Sequence, residues 1–365
     1  MEFFRNDDSL PHEDKQDQIL MTDTYLLNKN HLSFWLRRLK STHELIAPVR
    51  DASGDIVLTE ISQLHEIALD GPALMPSPKE FLLPQNEQLF CYSEEGIEEA
   101  LNKRNRIIFG VRPCDVSAIG ILDRFYLEQE EDTYYAARRR NTVIIAIACN
   151  QPDPTCFCLG LGTGPFLKTG FDLQLTDLGD RFVVEAGSDT GTALIRDFSH
   201  LFTESTPPDA EDMFEARLMS QSRFEKMINL EQVRKRISAG TVSNAFWDSV
   251  ALRCFECGGC VYSCPVCTCF NVVDRPYTAD SGKRFRIWDT CMFKGFSRMA
   301  GGAVPAQNMR ERTKRWYHHK LVHWPEQFGT FGCVGCGRCA VACPGTIDMA
   351  TVALQIKALE NRKEK

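Results

Sequence analysis

The sequence predicts two folded parts of different class: an α/β part built on a parallel-rich sheet, then a smaller α-helical part organised by cysteines. Three observations carry this. Strand-like and helix-like segments alternate between residues 94 and 149. The 16 cysteines fall into two groups, with none between Gly160 and Arg253. Between the groups, the acidic, proline-paired segment Glu204–Ala216 leads into helical periodicity, which places a boundary near residue 210. A length of 365 residues suits two or three domains at roughly 150 residues each. The division read from these cues is an extension over 1–20, an α/β domain over 21–209, a helical linker over 210–245 and a cysteine-rich domain over 246–365.

The elements follow in order. Glu94–Asn102 is expected to be a helix, because its acids come early and Lys103 and Arg104 follow, matching the helix dipole. Arg106–Val111 reads as a buried strand, and Cys114–Leu127 returns to helical spacing. Thr133–Arg140 is a helix ending in basic residues, and Thr142–Cys149 is a β-branched central strand. Strand, helical crossover, strand implies parallel pairing. Leu173–Asp177 and Arg181–Glu185 flank Leu178-Gly179-Asp180 and predict a hairpin. Ser220–Ser238, Ser243–Arg253, the basic Arg310–Leu321 and Met349–Asn361 have helical character.

Composition excludes several classes. Hydrophobic residues make 43% of the chain and charged residues 25%, the balance of a soluble globular protein. The longest uncharged apolar run, Val143–Cys149, has seven residues where a membrane span needs about 20. Met1 to Asp14 is acidic and lacks the apolar stretch of a signal peptide. A cytoplasmic location follows as the expectation. There thiols stay reduced, so cysteine patterns mean metal or catalytic sites rather than disulfides. A net charge of −7 argues against a nucleic-acid partner. Asn271–Pro325 nevertheless holds eleven Lys or Arg against four Asp or Glu, which reads either as a docking face or as local charge balance.

Cys254-x2-Cys257-x2-Cys260-x3-Cys264-Pro265 recurs as Cys333-x2-Cys336-x2-Cys339-x3-Cys343-Pro344, displaced by 79 residues at every cysteine. This is the ferredoxin spacing for [4Fe–4S] clusters, in which the fourth cysteine serves the other cluster. The expected ligand sets are therefore Cys254, Cys257, Cys260 and Cys343 for one cluster, and Cys333, Cys336, Cys339 and Cys264 for the other. Gly258, Gly259, Gly335 and Gly337 are expected to let backbone amides approach the cluster sulfurs. Zinc fits poorly, since its structural sites draw pairs of cysteines from separated elements. The long separation and the flanking helices favour an α-helical, dicluster ferredoxin-like domain.

The first group of cysteines points to one sheet edge. Cys114 follows one strand of the parallel pair and Cys149 ends the other, so both stand at the carboxyl edge, where open α/β sheets carry their sites. Cys156 and Cys158 lie in the next loop. The helix N-terminus and Arg112 are expected to lower the Cys114 pKa. Four convergent thiols make a third [4Fe–4S] cluster the leading reading, beside a redox-active thiol site or simple packing. Cys91, Cys267, Cys269 and Cys291 stay unassigned, and His319 with His323 reads as a solvated or docking face. The glycine-rich Gly160–Pro165 segment is not a phosphate fingerprint.

Further motifs join these: Gly110-Val-Arg-Pro-Cys-Asp115, Gly162-Thr-Gly-Pro165, Cys264-Pro-Val-Cys-Thr-Cys-Phe270, Trp288-Asp-Thr-Cys-Met-Phe293, Arg298-Met-Ala-Gly-Gly302 and Phe331-Gly-Cys-Val-Gly-Cys-Gly-Arg-Cys339. Over residues 85–350 the chain resembles the iron–sulfur β subunits of cytosolic [NiFe] hydrogenases, or sulfhydrogenases. It is equally similar to the 4Fe-4S dicluster component of anaerobic sulfite reductase. The resemblance implies an electron-transfer subunit rather than a catalyst alone. Its implied partners are a flavin-containing, ferredoxin–NADP reductase-like subunit, together with a catalytic redox subunit, whether hydrogenase, sulfite or sulfur reductase, or heterodisulfide reductase-like. Glu256 departs from the glycine usual in the family, and its charge is expected to lower the potential of its cluster. Sulfur or disulfide reduction at the N-terminal thiols, or a flavin bound there, is the alternative.

Overall fold

A computed structural model describes residues 24–69, 71 and 77–359; the extension read over 1–20 lies outside the described residues. Twelve strands are present among them: β1 Thr24–Asn28, β2 Glu44–Arg50, β3 Ile56–Glu60, β4 Asn86–Ser93, β5 Gly96–Glu99, β6 Arg106–Val111, β7 Thr142–Ile147, β8 Leu173–Asp177, β9 Arg181–Ala186, β10 Phe202–Glu204, β11 Phe270–Pro276 and β12 Gly282–Trp288.

Eight form one mixed sheet in the order β10-β1-β9-β8-β7-β6-β2-β3. Its centre is parallel: β2 with β6, β6 with β7 and β7 with β8. The hairpin β8–β9 is antiparallel, as are both edges. The central strands are apolar at almost every position because helices cover both faces. Ile107, Phe109, Ile145 and Ile147 face the Lys29–Lys40 helix through Trp35, Leu36 and Leu39. Ile108, Val111, Ile144 and Ala146 face the Pro113–Leu127 helix through Val116, Ile119 and Leu122. The side-chain period of two sorts the strands onto these two cores, and an irregularity between Phe109 and Val111, at Gly110 with φ 79°, turns Val111 to the face of Ile108. Burying each such large aliphatic side chain contributes about 1.5–3 kcal/mol.

A second, four-stranded antiparallel sheet has the order β11-β12-β4-β5. It corrects the expected helix over Glu94–Asn102, where the structure has the exposed edge strand β5, turned back from β4. The charges that imitate a helix dipole instead solvate a strand exposed along its length. The same sheet ties the two halves of the chain together, since β12 pairs with β4. At that seam Arg286 is buried against Glu87 and Asp132, and Arg138 joins Glu87. Part of the basic stretch is thus internal pairing rather than a docking face.

The C-terminal helices share a core that includes Trp247, Tyr317, Leu321, Val352 and Ile356. The Met309–His318 helix runs through a single π-turn, His319–His323, into Trp324–Phe328. His323 lies 3.6 Å from Glu326, an acidic neighbour of the His319/His323 face. Among the described residues no helix is long and apolar enough to cross a membrane.

Candidate metal centres

All 16 cysteines are free thiols. The structure gathers eight of them around two cavities. Cys264 lines one together with Cys333, Cys336 and Cys339. Cys343 lines the other together with Cys254, Cys257 and Cys260. The local reason is a helical turn: Gly259–Tyr262 and Arg338–Val341 each carry the third cysteine, and the chain then swings the fourth into the opposite cavity. The two cavities enclose similar unfilled space, about 330 and 320 Å³ with open solvent at the mouth included.

The donor chemistry suits a cube rather than a single ion. Among the described residues no three His, Cys, Asp or Glu side chains converge where one ion would bind. The thiols stand around a space instead, as a cluster with iron at several corners requires, whereas zinc needs sulfurs about 2.3 Å from one point. Trp316 lines the Cys333 cavity, and its buried indole N–H has no acceptor among the described residues. The Gly335 N–H donates to Cys333 Sγ at 3.4 Å.

Burial dominates the thiol electrostatics. It pushes Cys260 and Cys333 up to about 12, and raises Cys254, Cys336 and Cys339 as well. Neutral thiols are the comfortable state of a low-dielectric interior, and thiolates there call for a cationic centre. Cys264 departs from this pattern. A hydrogen bond from the Cys267 thiol, opposed by burial but reinforced by the Lys320 ammonium, holds it well below the usual thiol range.

The glycines do more than expose amides. Gly258, Gly335 and Gly337 have φ of 73°, 65° and 76°, the left-handed region that favours glycine. A Cβ on Gly335 would stand 2.7 Å from the Cys158 nitrogen, and one on Gly337 2.8 Å from the Thr155 carbonyl carbon. The loop before Cys339 therefore packs backbone to backbone on the loop carrying Cys156 and Cys158. Gly259 instead approaches the other motif, its Cβ position lying 3.1 Å from the Ala342 carbonyl oxygen.

The N-terminal thiols also come together. Parallel pairing of β6 with β7 puts Cys114 and Cys149 at one sheet edge. Cys158 is the electrostatic neighbour of Cys156, Cys149 and Cys336, and Cys114 that of Cys158 and Cys336. Gly164 closes the set, its Cβ position lying 3.1 Å from Cys158 Sγ. Cys156 Sγ reaches the Cys336 carbonyl at 3.6 Å, and Phe157 N–H donates to the Gly335 carbonyl at 2.8 Å. Buried Arg338 pairs with buried Asp115 at 2.7 Å across the same seam.

The expectation of a low Cys114 pKa is corrected. Burial first, then the adjacent Asp115, push it well above the usual thiol value, and Arg338 does not offset them. Arg112 turns its guanidinium to the Leu69 and Gly71 carbonyls. Burial likewise pushes Cys156 up to about 12 and raises Cys149 and Cys158. Glu256, expected to lower the potential of its cluster, sits at φ 51° and is ion-paired with Arg312.

Cys91 lies apart on β4, taking a hydrogen bond from Gln88 at 3.3 Å. Lys79 and Lys320 escaped the sequence reading; nothing in their spacing links them to cysteines far along the chain.

Residues 253–347 match the model of a family described as a 4Fe-4S dicluster domain. The chain is also 31% identical over 331 residues to the protein named sulfhydrogenase 2 subunit beta of Pyrococcus furiosus, covering 91% of this chain and 97% of that one. With the two cysteine quartets seated around paired cavities, these likenesses identify an iron–sulfur electron-transfer protein, and the chain belongs to the family of sulfhydrogenase iron–sulfur β subunits.

Proposed function

We propose that the chain is the relay subunit of a multi-subunit, hydrogenase-type oxidoreductase. It carries electrons between two neighbours, one flavin-containing and NAD(P)H-linked, the other a catalytic redox subunit. Cys264, Cys333, Cys336 and Cys339 hold one [4Fe–4S] cluster, and Cys254, Cys257, Cys260 and Cys343 hold a second. Cys114, Cys149, Cys156 and Cys158 hold a third. When bound, each cluster takes up and releases one electron at a time.

The observation that carries this reading is contiguity. The N-terminal thiols abut Cys336, and Cys260 and Cys264, one turn apart, belong to neighbouring cavities. The protein's own work is to hold the three sets next to one another and to bury the middle one. At the far end Cys257 is exposed, and Phe255 and Leu252 beside it are 70% and 88% exposed. That edge is where we place the transfer to a neighbouring subunit. Raised pKa values at all four N-terminal thiols weigh against a nucleophilic thiolate and hence against sulfur chemistry within this chain.

Iron analysis of the anaerobically reconstituted chain tests the reading. About twelve irons per chain are expected from three four-iron cubes. About eight would free the N-terminal thiols for other chemistry. Cys156→Ser that keeps full iron yet loses electron transfer would sink the third cluster.

A further inference from the structure

The fold collects Cys267, Cys269, Cys291, Lys79 and Lys320, which no ligand set uses, on the side of the Cys333 cavity where Cys264 enters. The Cys269 and Cys291 thiols hydrogen-bond each other, and Cys267 hydrogen-bonds Cys264. Lys320 Nζ lies 3.2 Å from Cys264 Sγ and 2.8 Å from the Gly332 carbonyl. Lys79 Nζ donates to the Cys267 carbonyl at 3.1 Å and lies 3.8 Å from the centre of the Trp288 ring. Both side chains are 3% exposed, and among the described residues neither forms an ion pair with a carboxylate.

Interior ammonium groups without a counter-ion cost several kcal/mol each, so this site calls for negative charge. Among the described residues no lysine is hydrogen-bonded to a cysteine sulfur of the Cys254 cavity. Its buried cation, Arg312, is already committed to Glu256 and to the Met292, Ala306 and Gln307 carbonyls.

We propose that Lys320, donating to Cys264 Sγ, sets the reduction potential of the cluster in the Cys333 cavity above that of the cluster in the Cys254 cavity. The proposal rests on the cluster assignment made above. Reduction adds one electron to an already anionic cube. A fixed positive charge in contact with a ligand sulfur stabilises the reduced form more than the oxidised form. No bond forms or breaks; the electron comes from the neighbouring cluster and Lys320 keeps its proton. Because the pair is buried, salt screens it little. The Cys267 thiol, donating to Cys264 Sγ, supports the same polarity from behind. The middle station of the relay thereby holds an electron in preference to the surface one.

The test is a redox titration of the full, reconstituted chain, followed by electron paramagnetic resonance, for wild type, Lys320→Met, Lys320→Gln and Lys320→Arg, with iron measured in each. With iron unchanged, Met and Gln should make reduction of one cluster at least tenfold less favourable, 59 mV for a one-electron couple. Arg should stay within about threefold, and the other cluster, which Lys320 reaches only at a distance through Cys260, should move much less. Iron-replete Met and Gln variants with wild-type potentials overturn the proposal, as does an equal shift in Arg. If Met and Gln lose four irons and Arg keeps them, Lys320 retains the cluster rather than tuning it, and the proposal falls. A wild-type chain with no reducible cubes overturns the cluster assignment itself, which the iron count reveals separately.

Discussion

The two cavities carry the same cysteine motif and sit in opposite surroundings. The Cys254 cavity opens to the surface through Cys257, beside exposed Phe255 and Leu252, and Glu256 in its loop is ion-paired with Arg312. The Cys333 cavity lies against the N-terminal half. Lys320 touches one of its sulfurs, and the Arg338–Asp115 pair closes its wall. A motif specifies which sulfurs meet. What each centre does follows from residues that arrive from elsewhere in the chain, such as Lys320, 56 positions beyond Cys264.

The largest expected effect separates the two cavities outright. Cys264→Ala and Cys343→Ala should each remove about four irons, but from different places. With crossed fourth ligands, Cys264→Ala leaves the surface cluster, which an iron chelator should strip quickly. Cys343→Ala should leave the protected one. The opposite chelation pattern would show that each quartet serves its own cavity.

The next effect concerns only the buried side. Asp115→Ala leaves Arg338 charged and 1% exposed without its carboxylate. Breaking a buried pair in this way costs about 3–5 kcal/mol. Chemical denaturation should show a loss of that size, while Asp274→Ala, which breaks a solvated pair with Arg284, should cost no more than about 1 kcal/mol.

Much of this division was legible in the sequence and some was not, for reasons that particular residues make plain. The cysteine ladders are legible because ligand spacing is local. The gathering of Cys114 and Cys149 is legible because β6 and β7 are apolar runs whose parallel pairing follows from the helix between them. Strand β5 is illegible: exposed at every position, it shows no alternation, and its charges resemble those of a helix. The contacts of Gly335 and Gly337 with Thr155–Cys158 are illegible as well, because packing partners at that separation leave no periodic trace.

Those glycines give a smaller test of the same contrast. Gly337→Ala and Gly335→Ala each drive a Cβ into backbone of the facing loop, which cannot swing aside. Gly258→Ala meets only the Thr290 and Tyr262 side chains, at 2.9 and 3.0 Å. All three incur about 1–2 kcal/mol for the left-handed backbone. The first two should cost about 1–3 kcal/mol more through overpacking and should expose the Cys156–Cys158 loop to limited proteolysis. Equal costs at all three positions would mean the loops do not pack as described.

The smallest expected effect is at Glu256, and it asks whether the surface cavity is electrostatically quiet. If Arg312 cancels the carboxylate, Glu256→Gln combined with Arg312→Met should change the reduction equilibrium of the surface cluster by less than about threefold, because a balanced pair leaves together, whereas Glu256→Gln alone leaves the arginine unopposed and should make reduction more favourable. Arg312→Met breaks the balance in the other direction, leaving a carboxylate beside an anionic cube, and should make reduction less favourable. A large shift in Glu256→Gln, with none in Arg312→Met, would mean that the carboxylate acts on the cluster unopposed. The contrast between a tuned interior centre and an untuned surface one would then be lost.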